Sequence, residues 1–533
     1  MSKSHVYARG SVLAGLMVCV AACQAPTEQA VEAEAPAALE DPIQTVSGLV
    51  AGTDTAVEGV RAYKGLPFGA PPVGENRWRA PQPVEPWDGV RDASEYAAVC
   101  IQPGGSVFGG GRVNIAAMEG QPMGEDCLHL NVWTPAESAS DQLPVMVYFY
   151  GGAFTEGGGN APLYDGTQLA ARGAVVVTMN YRLGPFGFLA HPELTAEAEY
   201  QSSGNYGILD MVASLEWVQD NIAAFGGDAD NVTIFGQSAG AMAITSLMTS
   251  PLAEGLFDRA IAQSIMGGGA SPNGANATLA AAEQNGLAAA ERAGLGSLAE
   301  MRALSADEVS AAFSGATMIV DNYAIPEDPA VVFADGRSHP VDVLMGANAR
   351  EMSFSMGGGG GRGGPGAAGP GAAPAEAPPE PAVDAQSARI FWVARRIAEY
   401  QREVGANGYV YWFTQSSPAP DGGESLPVHA AEVKYVFDNL GELPLFPDAS
   451  DAELAAASSG DQQVADLMAS YWVNFAASGN PNGDGLPEWP VHTGLDSVQA
   501  VILDADPSDE VLPPLEMMQQ SDAQLEQQLD ALR

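Results

Sequence analysis

The sequence predicts an α/β fold with a large, mostly parallel sheet flanked by helices, and two features carry the prediction. Apolar runs of buried-strand type alternate with helix-like segments, and one β-branched run leads directly into a tight serine turn and a helix start. The runs are Val145–Tyr150 (VMVYFY), Ala174–Met179 (AVVVTM), Asn231–Phe235 (NVTIF) and Tyr409–Phe413 (YVYWF). Helical patterns fall between and after them, at Ile208–Ile222 and Asp461–Ser478. Length alone, 533 residues, suggests about three domains, but these segments are spread as in one large domain over 42–515, with a polar tail at 516–533. One stretch breaks the alternation. Residues 357–381 contain only Gly, Arg, Pro, Ala and Glu; they cannot bury apolar surface, and the insert 357–386 is expected as a passive loop.

The serine turn is FGQSAGA, Phe235–Ala241. A serine hydroxyl is a poor nucleophile. It needs exposure at the tip of a sharp turn, a base beside it and donors for an oxyanion. Gly236 and Gly240 remove the Cβ atoms that such a turn cannot hold, and the helix begins just behind Ser238. The turn alone is a moderate signal, since any Gly-rich strand-to-helix turn can contain a serine.

The chain carries 66 acidic and 22 basic residues, a net charge of −44. That argues against nucleic acid and against attraction to anionic lipid. The N-terminus reads as an export signal. Lys3 and Arg9 precede an apolar stretch from Ser11 to Ala22 that is too short for a stable membrane span. The signal, 1–22, ends in Val-Ala-Ala before Cys23, which resembles a lipoprotein cleavage site. Cys23 is the expected lipidation site, Cys19 being poorer because bulky Val18 precedes it. The competing reading is an ordinary signal with an incidental cysteine. Residues 23–41 then form a flexible tether, and Gln24 after Cys23 fits outer-membrane sorting, facing the periplasm or the cell surface. Contact with a membrane is expected only through this anchor. With Cys19 removed and Cys23 acylated, Cys100 and Cys127 remain, and an oxidising compartment predicts their disulfide, with about 3–4 kcal/mol from loop closure. No histidine cluster accompanies the two cysteines, so no metal site is expected.

A hydrolytic serine needs an acid and a histidine after it, in the order Ser, Asp/Glu, His. Of the six histidines, His5 is in the signal and His129 is on a predicted strand. His191, His339 and His492 lie beside or near prolines, and His429 precedes a helix-like stretch. The residues alone do not choose firmly among them.

Longer motifs do. GNYGILD (Gly204–Asp210), WVQDNIAAFGGDADNVTIFGQSAGA (Trp217–Ala241), EDCLHLNVW (Glu125–Trp133), YKGLPFGAPPVGENRWRAP, NYRLGPFGFL and YWVNFAASGNPN resemble the type-B carboxylesterase/lipase family of α/β-hydrolases, from about Val46 to about Pro490. The resemblance implies Ser238 as nucleophile. It implies Glu351 as acid, in GANAREM, with Met352 where the family usually has Gly, and His429 as base, in a segment like His-x-x-Glu. YGGAF (Tyr150–Phe154) matches the family's glycine loop. This implies an oxyanion hole from the backbone N–H groups of Gly152, Ala153 and Ala239, with Tyr150 in place of the commoner His. It further implies scaffold ion pairs Arg77–Glu125 and Arg182–Asp210, no cofactor, and a small-molecule ester as substrate.

The expected reaction is therefore two-step acyl transfer, falling off as the base protonates below roughly pH 6–6.5. Choline esters need an aromatic cation site. Between Cys100 and Cys127 the chain offers only Phe108, and Gln237 stands where cholinesterases carry Glu, so small or medium uncharged esters are expected. The short stretch between Glu351 and His429, once the insert is subtracted, points to an open pocket. Two other classes stand beside this one: an interfacial lipase or polyester hydrolase, and a non-catalytic binding protein like the neuroligin relatives, which lose the serine or its partners.

Overall fold

The computed structural model describes residues 39, 41–102, 121–266, 277–313, 315, 317–351, 383, 385–418, 424–425, 427–442, 457–509 and 511–533. The signal, Cys23, most of the tether, Phe108, Met352 and all but three residues of the 357–386 insert lie outside them. The last two residues of that insert already belong to a helix.

A ten-stranded sheet runs through the domain. In chain order its strands are β1 (Thr53–Asp54), β2 (Arg61–Pro67), β3 (His129–Thr134), β4 (Leu143–Phe149), β5 (Val175–Met179), β6 (Gly227–Gln237), β7 (Arg259–Gln263), β8 (Asp342–Asn348), β9 (Gly408–Phe413) and β10 (Val501–Leu503). Their spatial order is β10-β9-β8-β7-β6-β4-β5-β3-β2-β1. From β10 to β5 all neighbours are parallel; β3, β2 and β1 close the other end antiparallel. Every residue of β5 and β9 is buried, as are the last five of β4. Helices cover both faces of such strands, which is why they read as continuous apolar runs.

The chain places β4 between β5 and β6, and Phe149 at the end of β4 pairs with Gly236. The loops that leave the carboxyl ends of these two strands therefore start side by side. Strand β6 reaches Gln237, two residues beyond the predicted run, so the serine follows the strand without a linker.

Four helices bear on the site or the outer wall: α1 (Tyr206–Asn221), α2 (Ala239–Leu247), α3 (Ala385–Glu403) and α5 (Ser459–Ser478), with the one-turn α4 (Val433–Val436) between the last two. α5 starts at its cap: Ser458 and Asp461 exchange side-chain and backbone bonds in a capping box, and Gly479 ends it in the left-handed region. The segment expected as a polar tail is instead helix α6 (Leu515–Leu532). It buries Met518, Leu525 and Leu529, which share one helical face, and Asp522 takes hydrogen bonds from Trp392 and Arg396 of α3. Among the described residues, no helix is long and apolar enough to cross a membrane.

Cys100 and Cys127 are joined by a disulfide. Beside it Arg77 holds Glu125 through two bonds, Nε to Oε2 at 2.7 Å and Nη2 to Oε1 at 2.5 Å. Arg182 grips Asp210 of α1 more completely: its Nε and Nη2 reach both carboxylate oxygens at 2.7–3.2 Å, and its backbone N–H adds a bond of 2.9 Å. Asp210 is fully buried, so removing its charge strands a buried guanidinium. Asp210→Asn should lower the unfolding free energy by about 3–5 kcal/mol, read as a drop in urea midpoint. The ester hydrolysis implied by the family resemblance should stay within about twofold in the folded fraction; selective loss of turnover would instead place the pair in the chemistry.

Candidate active site

Ser238 stands between β6 and α2 with φ 55° and ψ −118°, a conformation that non-glycine residues seldom adopt. The geometry around it explains both glycines of the turn. A Cβ on Gly240 would lie 1.9 Å from the Phe149 carbonyl oxygen, and one on Gly236 2.5 Å from it. Ser238 is tied down by its backbone: its N–H donates to the Gln263 carbonyl at 2.9 Å, and its carbonyl accepts from Met242 at 2.9 Å.

The glycine loop after β4 lies against this turn. A Cβ on Gly151 would meet Ser238 Cβ at 3.0 Å and the Gln237 carbonyl oxygen at 2.9 Å. Gly152, Ala153 and Phe154 all have positive φ, at 118°, 52° and 60°, and the Gly152 carbonyl turns away to accept from Thr155 and Glu156. Among the described residues, no hydrogen bond uses the N–H of Gly152, Ala153 or Ala239. Three donors beside one hydroxyl suit a developing alkoxide. Tyr150, where the family more often has His, stacks on Tyr181 with ring centroids 4.3 Å apart, and the Tyr181 hydroxyl donates to the Tyr150 carbonyl at 2.8 Å. The ring pair holds the start of the loop.

Glu351 follows β8 by three residues and is fully buried. Its Oε1 accepts the Asn348 N–H at 2.8 Å, and its own N–H donates to Ser387 Oγ at 2.9 Å. An isolated parallel bridge joins Arg350 to Val428. It sets the next residue of each segment side by side, and Nδ1 of His429 lies 2.6 Å from Glu351 Oε2. A carboxylate there selects the tautomer with the proton on Nδ1 and leaves a lone pair on Nε2. That Nε2 edge is turned towards the serine turn, 3.1 Å from Nε2 of Gln237, the residue before Ser238.

The other described histidines make contacts away from the serine turn. His191 caps a short helix by accepting the Glu193 N–H, His339 bonds the Ser250 carbonyl at 2.8 Å, His492 sits 3.4 Å from Glu399, and His129 opens β3. Gln263, which no sequence motif marks, and the side chain of Asn348 carry the network beneath His429. Their signal was available only as position, since both are the last residues of strands. A cavity of about 410 Å³ lies among Phe188, Leu189, Arg292, Phe313 and Ile319. None of the three candidate catalytic residues lines it, although Phe188 packs on Phe154 of the glycine loop, with centroids 5.1 Å apart.

Comparison with known proteins bears on the family and the fold. A profile of the carboxylesterase family matches residues 40–359 and 385–520, passing over most of the Gly/Pro-rich insert. The fumonisin B1 esterase of Sphingopyxis macrogoltabida is 36% identical over 84% of this chain and 83% of its own length. The para-nitrobenzyl esterase of Bacillus subtilis is 33% identical over 90% and 97%. Among solved structures, a thermophilic PNB esterase superposes with a TM-score of 0.71 at 32% identity, covering 91% of this chain and 99% of that one. A Geobacillus stearothermophilus carboxylesterase gives 0.69 at 32% identity, covering 87% and 96%. With the sheet order, the glycine-flanked serine and matches that span most of both partners, the chain belongs to the carboxylesterase family and is an esterase of the α/β-hydrolase fold.

Proposed function

We propose that the chain hydrolyses small to medium uncharged carboxylic esters through an acyl-enzyme on Ser238, with His429 as base and Glu351 as its carboxylate partner. The observation that carries this reading is the 2.6 Å contact of His429 Nδ1 with buried Glu351, which leaves the lone pair of Nε2 on the side of the serine turn. In the first step Ser238 Oγ adds to the ester carbonyl while Nε2 takes its proton. The carbonyl oxygen becomes an alkoxide facing the N–H groups of Gly152, Ala153 and Ala239, and Glu351 stabilises the imidazolium. The tetrahedral adduct expels the alcohol, which leaves with the proton from Nε2. Water then adds to the acyl-enzyme by the same route and releases the acid.

The names of the relatives carry two different esters, fumonisin B1 and para-nitrobenzyl esters, so they narrow the substrate to the ester bond and no further. The acidic chain offers no aromatic cation site in the Cys100–Cys127 loop beyond Phe108, which supports uncharged substrates. We further propose that Cys23 carries lipid and anchors the exported protein to the outer membrane through the 23–41 tether.

Three measurements test these readings. Hydrolysis of para-nitrophenyl acetate, butyrate, octanoate and palmitate by the chain from Asp41 should peak at the shorter esters. It should fall by about ten-thousandfold in folded Ser238→Ala and by about a hundredfold or more in Glu351→Gln. Rates that jump once the longer esters aggregate would indicate an interfacial lipase, and undiminished turnover by Ser238→Ala would overturn the nucleophile. Butyrylcholine should be cleaved no faster than an uncharged butyrate ester of equal length; a clear preference for the cation would reject the substrate class. In cells, Cys23→Ala should move the protein from the membrane to the soluble fraction, and an unchanged distribution would reject the anchor.

A further inference from the structure

Three buried carboxamides stand in a row at the ends of neighbouring parallel strands. Gln237 closes β6, Gln263 closes β7 and Asn348 closes β8. Gln237 and Gln263 are register partners, and Gln263 pairs in turn with Gly346. Asn348 is two residues past Gly346, which puts it on the same face of the sheet. Buried amides need partners, and all three find them in one turn of chain. Gln237 meets His429 Nε2. Gln263 Nε2 donates to Glu432 Oε1 at 3.2 Å, and Asn348 Nδ2 donates to Glu432 Oε2 at 2.6 Å and to the Val428 carbonyl at 2.8 Å. Glu432 is fully buried, three residues after His429 and just before α4. Asn348 serves two carboxyl groups, since its backbone N–H goes to Glu351 and its side chain to Glu432.

We infer that Glu432 is a positioning residue for the base: hung between Gln263 and Asn348, it fixes the 428–432 turn that carries His429, and its charge sets how readily His429 takes the proton of Ser238. This rests on the Ser238–His429–Glu351 reading and adds a second buried carboxyl to it.

The charge argument follows from the surroundings. Burial first, and then the charge of Glu351, push the Glu432 carboxyl up to about 7, against the pull of the Asn348 amide and of His429. The other titratable groups that feel Glu432 are Tyr148 of β4, Tyr164 and Tyr411 of β9, and burial holds all three phenols neutral in this range. Below about pH 7 the carboxyl is neutral, and Glu351 alone faces the forming imidazolium. Above it a second negative charge stabilises the same cation. The rate should therefore climb in two steps with pH, where a purely mechanical role gives one. Stability runs the other way. A raised carboxyl favours the folded state fully below its ordinary carboxylate range and loses that contribution as pH rises through about 7.

The test is the pH profile of para-nitrophenyl butyrate hydrolysis by the full folded chain between about pH 5 and 9, with product read at its isosbestic wavelength. In Glu432→Gln, kcat near pH 8 should fall about tenfold with KM within about twofold, and the upper step should vanish. The new amide puts a donor opposite Gln263 or Asn348, so a milder variant is measured beside it. Gln263→Met keeps Glu432, and keeps the backbone carbonyl that holds Ser238, but removes one donor to the ionised carboxyl. It should move the upper step to higher pH. An infrared carbonyl band of a protonated carboxyl, titrating near the same pH in the parent and absent from Glu432→Gln, should accompany the step. An upper step that neither variant changes, or a parent profile with one step only, overturns the inference. Hydrolysis that survives Ser238→Ala would instead overturn the reading beneath it, so the two failures are told apart.

Discussion

The carbonyl oxygen of Phe149 is the surface on which the site is assembled. It ends β4 and faces the turn that follows β6, and both Gly236 and Gly240 pass it too closely for any Cβ. This close approach gives Ser238 its left-handed backbone and starts α2 behind it. It also brings Gly151 against the serine. The conformational cost of a strained serine, of order 1–3 kcal/mol, is offset by two features. The Ser238 N–H is bound by the Gln263 carbonyl, and the strand ends that meet at the turn, the last five residues of β4 and the last six of β6, are buried.

The parallel sheet extends that logic sideways. Strands β6 and β7 end level and β8 runs two residues further, so residues far apart in the chain emerge at one edge. Ser238 leaves from β6 and Glu351 from just past β8. His429 has no strand of its own at that edge. It is brought in by the single bridge between Arg350 and Val428 and by the Glu432 carboxyl beneath it. The chain is strongly acidic, yet the ground under His429 is made largely of neutral amides. In a low-dielectric interior an amide holds a carboxyl group without adding a charge that would itself need a partner. Elsewhere the solution is the opposite one, charge against charge: Arg182 with Asp210 and Arg77 with Glu125, each pair held by more than one bond.

Much of this is legible in the sequence, and what is not has identifiable physical causes. The strands were found because β4, β5, β6 and β9 are buried on both faces and so leave unbroken apolar runs. The 516–533 segment reads as a tail because glutamines and acids make up half of it. Met518, Leu525 and Leu529 recur at helical spacing within it, and that face packs against α3 through Asp522. The histidine could not be chosen from its neighbours alone. What distinguishes His429 is a carboxylate 78 residues earlier in the chain, and nothing local records that pairing.

The sequence by itself determined the sheet, the serine turn and the residue types that ester chemistry requires, because each depends on short-range rules: buried strands need apolar side chains, and a tight turn needs glycine. The full-length motifs added the family. Only the tertiary structure decided which carboxylate meets which histidine, and that Gln263, Asn348 and Glu432 meet beneath His429. Those contacts depend on strand order and register, which are settled when the whole sheet is packed and leave no pattern in any one segment.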